Sequence, residues 1–433
     1  MTDFNGMDIV RKTCGYAKKI GADKAQIRLA RGEKYELNVE AGKMSLYRTT
    51  VDVSLGITVH SENRKGTVTV NRYDDDTMQK AAQDALDMAK ASEPDSANDI
   101  SPEHPLECFE NGPGEADSAV MYDRLNEFLE YCGSTYPNTN LEQCILDFNC
   151  GETFFANTNG AEFESHSGLY NFFAMFTTKI GTKASSFNYS GASHRDMSKQ
   201  LRQWGNIDDL MRQSTEQTDV KPVDGSFTGD IIITPDSLSD FIGFLEDVYM
   251  GDYPLITGNS PWKDMLGKQV ASGLLTLRCE PQGPSIETGY HFTGDGFRAE
   301  NCNLIENGIL SNFTLGLYGS NKTGKPRCPS GGGALIIQSG SSTLAGMIAD
   351  VKRGILLGRF SGGNPSDNGD FSGVAKNSYI IENGKITRPV GETMIAGNLG
   401  SLFKELRAVS REEINYGSAI MPWILSSGIT ISG

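Results

Sequence analysis

Three of the six Asn-Gly pairs, those at 159–160, 307–308 and 383–384, constrain this chain more than any other feature. Each follows a run of apolar or β-branched residues. A two-residue type I′ turn needs positive φ at both central positions, which Asn and Gly tolerate better than other residues, so Asn-Gly between such runs marks an antiparallel hairpin. The last pair lies in the glycine-punctuated stretch 362–399 and joins Tyr379-Ile380-Ile381 to Lys385-Ile386. The middle pair sits in Leu304-Ile-Glu-Asn-Gly-Ile-Leu310, almost the same word as Ile380-Ile-Glu-Asn-Gly-Lys-Ile386. Such a match is either a duplicated subdomain or a hairpin word used twice.

Around these hairpins the hydrophobic period switches repeatedly. Residues 7–21 place Ile9, Val10, Thr13, Cys14, Ala17 and Ile20 on one helical face. From Ala25 to Val70 the period is two, which predicts a meander of about four strands with turns at Arg31-Gly32, Ala41-Gly42 and Lys65-Gly66. A second helix, capped by Thr77, carries Met78, Ala81, Ala82, Ala85, Met88 and Ala89 on its buried stripe. These elements make a first unit, residues 1–95. The stretch 93–116 is rich in Pro, Asp, Ser and Gly and reads as a linker. A central unit, 105–222, follows, with a helix near 116–132, strands at 143–148, 153–158, 161–166 and 170–178, and a polar helix around 207–217. The third unit, 226–433, opens on the buried-strand pattern Asp230–Thr234. A helix follows on which Leu238, Phe241, Ile242, Leu245, Val248 and Tyr249 share a face. The rest is β-like, broken by helices near 342–353 and 402–409. The expected class is α+β, with two N-terminal units of mixed helices and antiparallel strands ahead of a large β-rich C-terminal domain.

With 433 residues there is ample chain for more than one core. The formal net charge of -16 repels phosphate backbones, so no direct nucleic-acid binding is expected. No apolar run reaches the roughly 20 residues of a membrane span, and the first residues lack the apolar core of a signal peptide, so no membrane and a cytoplasmic location are expected. The eight cysteines form no C-x-x-C pair and read as buried small hydrophobes.

None of the five histidines, at 60, 104, 166, 194 and 291, is followed by Glu, and no two lie one helical turn apart. A zinc-peptidase helix needs two imidazoles on one face with a carboxylate beside them to activate the bound water. G-x-S-x-G is also absent. Two loops have the texture of a cleft. Ser330-Gly331-Gly332-Gly333-Ala334 could bring bare N–H groups to a carbonyl or anion, or be a flexible turn. His291, Asp295 and Arg298 gather within eight residues, either as a polar cluster in a cleft or as a surface hairpin with solvated charges.

The run Gly369-Asp370-Phe371-Ser372-Gly373, the Tyr379–Gly384 hairpin, Arg388-Pro389-Val390 and Thr393–Leu399, in that order, resemble the C-terminal signature of the TldD/PmbA family. Upstream, Asp295-Gly296, Leu304–Leu310 and Lys322-Thr323-Gly324 resemble the same family in the same order. The resemblance implies a cytosolic two-chain metallopeptidase acting on unfolded peptides or on maturing peptide antibiotics; older names call its members modulators of DNA gyrase. One chain, TldD, carries an H-E-x-x-x-H zinc helix after a strand early in the third segment. The corresponding place here reads IIITPDSLSDFIGFL, residues 231–245, with Ser, Asp, Phe and Leu where His and Glu would stand, and no Cys follows Ser410. The chain therefore resembles the TldE/PmbA type. This implies a non-catalytic subunit with no cofactor of its own, a zinc-bearing TldD-like partner or a second copy of itself, and a peptide substrate. A stand-alone homodimeric peptidase using His291 and Asp295, and a regulatory or scaffold protein, are the alternatives.

Overall fold

The computed structural model describes residues 5–433. Helix α1 (Gly6–Lys19) starts where the Asn5 side chain accepts from the Asp8 N–H, and it buries Val10, Cys14 and Ala17. It lies against a sheet that begins with β1 (Lys24–Glu40), β2 (Lys43–Ser61) and β3 (Arg64–Val70). The meander has three strands, not four. Gly32 sits inside β1 rather than in a turn, and it pairs directly with Gly151 of a later strand. A Cβ on Gly151 would come within 2.9 Å of the Arg31 carbonyl oxygen, so two glycines let those backbones approach.

Gly66 is likewise not a turn residue; Glu62-Asn63, both at positive φ, make that turn. A Cβ on Gly66 would stand 2.0 Å from the Ala85 carbonyl oxygen of α2 (Asp75–Ala91). Glycine here seats the helix on the sheet. Asp74, not Thr77, caps α2 by accepting from the Thr77 N–H, because the residue that accepts from N3 must precede the helix. Leu86 is buried in that helix while Met88 faces out.

The expected linker contains an edge strand, β4 (His104–Asn111). Next come α3 (Ser118–Thr135), β5 (Thr139–Asn157), β6 (Ala161–Ile180), the short β7 (Lys183–Ala184), β8 (Asn188–His194) and α4 (Ile207–Glu216). The paired short strands expected at 143–158 and at 161–178 are each one long strand. They close on Asn159-Gly160 through a three-residue turn in which the Asn157 side chain accepts from the Asn159 and Ala161 N–H groups. β1 pairs with β2 on one side and, from Gln26 to Glu40, with β5 on the other. Strands of residues 1–95 and 105–222 thus share one sheet, ordered β3-β2-β1-β5-β6-β4, with β7 and β8 also on β6.

The C-terminal part is a large strand-rich body. β9 (Ser226–Ile233) lies between strand 353–357, parallel to it, and strand 419–432, antiparallel. Its Ile231, Ile232 and Ile233 are fully buried, as expected for a strand covered on both faces. Helix α5 (Pro235–Leu245) follows with Pro in its first turn, then a π-turn over Glu246–Met250 and the short α6 (Asp252–Ile256). Later helices are α7 (Leu317–Thr323), α8 (Leu344–Ala349) and α9 (Leu399–Lys404). The segment after α9, read as helix to residue 409, is a strand, Leu406–Asn415, paired with 419–432. Two of the three expected two-residue hairpins form: Asn307-Gly308 and Asn383-Gly384 have positive φ throughout, whereas at 159–160 only Gly160 does. Among the described residues no helix is long and apolar enough to cross a membrane.

Candidate functional site

Helix α5 is the segment where the resemblance puts a zinc helix; it carries two carboxyls, Asp236 and Asp240, and no imidazole. Asp236, in its first turn, accepts from Ser190 of β8 (3.1 Å) and from the Asn206 amide (3.0 Å). The Tyr416 hydroxyl faces it without an aligned hydrogen bond. Burial pushes the Asp236 carboxyl above its ordinary range despite these donors, and burial beside Asp236 lifts Tyr416 well above 10. One turn on, Asp240 is exposed at the helix surface. Partial desolvation still raises its pKa, against the pull of Arg359. Arg359 lies 4.2 Å above the Phe187 ring and donates to the Ser186 hydroxyl, while its Nε has no partner.

After α5 and the π-turn the chain reaches a cavity of about 260 Å³ lined by Asp252, Asp295, Leu317, Arg327, Ser330 and Gly331, among others. Asp295 is its hub. Arg327 grips both carboxylate oxygens, at 2.9 and 2.7 Å, and Thr293 and the Leu317 N–H also donate to them. Burial alone would raise this carboxyl; the donors outweigh it and hold the group below its usual range. Asp252 accepts from the Gly316 N–H, and burial carries it upward. Gly319 makes room for it, since a Cβ there would lie 2.1 Å from Asp252 Oδ1. Glu246, raised by burial, lies beside the glycine loop, 3.5 Å from where a Cβ of Gly332 would stand. Thus two carboxyls on one cavity are shifted in opposite directions, the condition for acid and base roles at one pH.

Of the residues singled out from sequence, Asp295 and Gly331 meet at this cavity. His291 and Arg298 do not. The 291–299 segment doubles back through Thr293 and Phe297, with Gly296 at φ +82. That turn sends the His291 ring onto Phe109 of β4 (4.4 Å, stacked) and the Arg298 guanidinium to Glu107 (3.0 Å). Burial lowers the pKa of His291, and Arg298 and Arg195 lower it further. The glycine loop is not bare either: the Gly331 N–H donates to the Tyr290 hydroxyl, which itself donates to the Gly332 carbonyl. Five of the eight cysteines are buried as expected, but Cys108 is exposed and Cys150 and Cys302 are half-buried. Asp236, Asp252 and Arg327 were missed from sequence. Pro235-Asp236 reads locally as a helix start, and Arg327 joins Asp295 from 32 residues away.

Among the described residues no group of three or more His, Cys, Asp or Glu side chains is spaced to hold a metal ion. Residues 226–433 match the PmbA/TldA metallopeptidase C-terminal domain and residues 25–89 match domain 1 of that metallopeptidase. The chain is 24% identical to Metalloprotease PmbA of Escherichia coli, covering 94% of this chain and 93% of that protein. It is 24% identical to the Metalloprotease PmbA homolog of Haemophilus influenzae, over 95% and 94%. Its fold is similar to that of TldE from Thermococcus kodakarensis, with a TM-score of 0.85 at 19% identity over 98% of this chain and 100% of that one.

Proposed function

The chain belongs to the PmbA/TldD family of metallopeptidases, and from that premise we propose that it is the non-catalytic subunit of a cytoplasmic two-chain protease acting on peptides. The observation that carries this reading is α5: Asp236 and Asp240 stand one turn apart on its less buried side, Ser237 and Phe241 are buried, and it carries no imidazole. Among the described residues the donors do not fit a zinc ion, because no three His, Cys, Asp or Glu side chains converge. What this chain supplies is a wall. Its Asp236 and Asp240 carboxyls, the Arg359 guanidinium over Phe187 and the Arg327–Asp295 pair at the cavity offer polar groups to a bound peptide, while a zinc-bearing relative supplies the hydrolytic centre. Measurement of bound zinc and of peptide hydrolysis, for the pure chain and for its mixture with a zinc-bearing relative, tests it. Hydrolysis is expected only in the mixture, with zinc travelling with the relative; stoichiometric zinc and full activity in the pure chain overturn the reading.

A stand-alone peptidase is the second reading, favoured by the oppositely shifted Asp252 and Asp295 on one cavity. It requires that the pure chain hydrolyse peptides and that Asp252→Asn lower the rate about a hundredfold or more, the usual scale for losing a general acid or base.

A further inference from the structure

β2 is nineteen residues long, but β3 covers its outer edge only from Leu55 to Ser61. From Lys43 to Ser54 no strand lies on that edge among the described residues, and no backbone group of residues 44–54 finds a partner outside the β1–β2 ladder. Leu46, Tyr47 and Val51 stand there 42%, 55% and 56% exposed. After the irregularity at Met44–Leu46, opposite Asn38–Val39, the edge is regular and contains no proline. A long, regular, apolar edge of this kind is a template for another strand unless something covers it.

The backbone phase fixes which residues can pair. The Asp23 N–H donates to the His60 carbonyl on the β1 side, so even-numbered residues of β2 turn their backbone groups to β1. Odd-numbered residues turn theirs outward. Antiparallel pairing of this edge with its own copy about a two-fold axis at Thr50 sets Thr49 opposite Val51, Tyr47 opposite Val53 and Leu46 opposite Ser54. All the outward N–H and C=O groups of the odd residues are then matched. The same register sets Arg48 opposite Asp52, twice, at non-hydrogen-bonded positions where side chains come closest. Arg48 already leans on Glu36 of its own chain at 2.9 Å and is 55% exposed, so a second carboxylate can reach it. Like charges meet nowhere in this register.

We propose that the Lys43–Ser54 edge of β2 pairs antiparallel with the same edge of a second copy of this chain, joining the two N-terminal sheets, with Arg48 and Asp52 fixing the register. This goes beyond the functional reading above and does not rest on it, since a self-pair forms or fails whether or not peptides are cleaved.

The test is sedentation-equilibrium and native mass spectrometry of the full chain with Arg48→Asp, Asp52→Arg and the double exchange. Each single exchange sets like charges opposite each other twice and is expected to weaken self-association about ten-fold or more; the double exchange restores opposite charges and recovers it. Val51→Pro removes an outward N–H without touching the β1 ladder and is expected to abolish pairing while leaving the circular dichroism of the monomer unchanged. In a Cys108→Ser background, Thr50→Cys is expected to give a disulfide-linked dimer under mild oxidation. A wild-type chain that stays monomeric at tens of micromolar overturns the proposal. So does a dimer indifferent to both single exchanges and to Val51→Pro, or one that forms only with a zinc-bearing relative.

Discussion

Asp236 shows what a single side chain does in this wall. It sits among donors that satisfy it, yet burial still favours its neutral form. A carboxyl whose pKa is raised on folding binds its proton more tightly in the folded chain. Its contribution to stability is therefore full below the unfolded value and is lost as pH rises through the folded one. Asp295, held below its usual range, has the opposite sign: its contribution is present above the unfolded value and fades as pH falls through the folded one. Asp236→Asn mimics the protonated form. Its stability relative to the parent chain, measured by urea unfolding at pH 4 and pH 7.5, is expected to improve as pH rises; a gap that does not move with pH counts against a buried, raised carboxyl at this position. His291 and Arg298 teach the converse lesson. They are neighbours of Asp295 in sequence, but a tight turn at Gly296 points them at β4 instead.

Among the elements, the glycines separate into two kinds that look alike in sequence. Gly308 and Gly384 stand at hairpin turns with positive φ, where the backbone itself demands them. Gly32, Gly66 and Gly151 lie within strands, and what they allow is contact: strand to strand for the Gly32–Gly151 pair, and strand to helix for Gly66. Gly66→Ala drives a methyl group into the Ala85 carbonyl and the backbone of Ala89. It is expected to cost about 2–3 kcal/mol, the range for overpacking a contact that cannot yield. Chemical denaturation checks this; a loss under about 0.5 kcal/mol, as at an ordinary surface site, means α2 moves freely on the sheet.

At the scale of the molecule, many polar contacts tie the N-terminal sheet to the C-terminal body. Arg195 donates to the Ile286 and Glu287 carbonyls, Asn111 to Gly289, Gln217 to Ser378 and Asn377 to Phe187; Phe292 stacks on Phe163. Coupling this dense predicts one cooperative unfolding transition. Trp204 in the N-terminal part and Trp262 in the C-terminal body are both buried, so single-tryptophan variants can report each part; midpoints that separate by more than the fitting error refute a single unit. The sequence by itself determined most of the strands, the long helices and two of the three hairpin turns, because alternation, amphipathic spacing and Asn-Gly act within a few residues. It also determined the family, through motifs read in order. Only the tertiary structure decided that residues 24–40, 139–157 and 161–180 each run as one unbroken strand, that 104–111 joins the sheet edge, and that Asp295 meets Arg327 rather than His291. Those outcomes depend on backbone approach and on partners far away along the chain, and a local pattern of residue types carries neither.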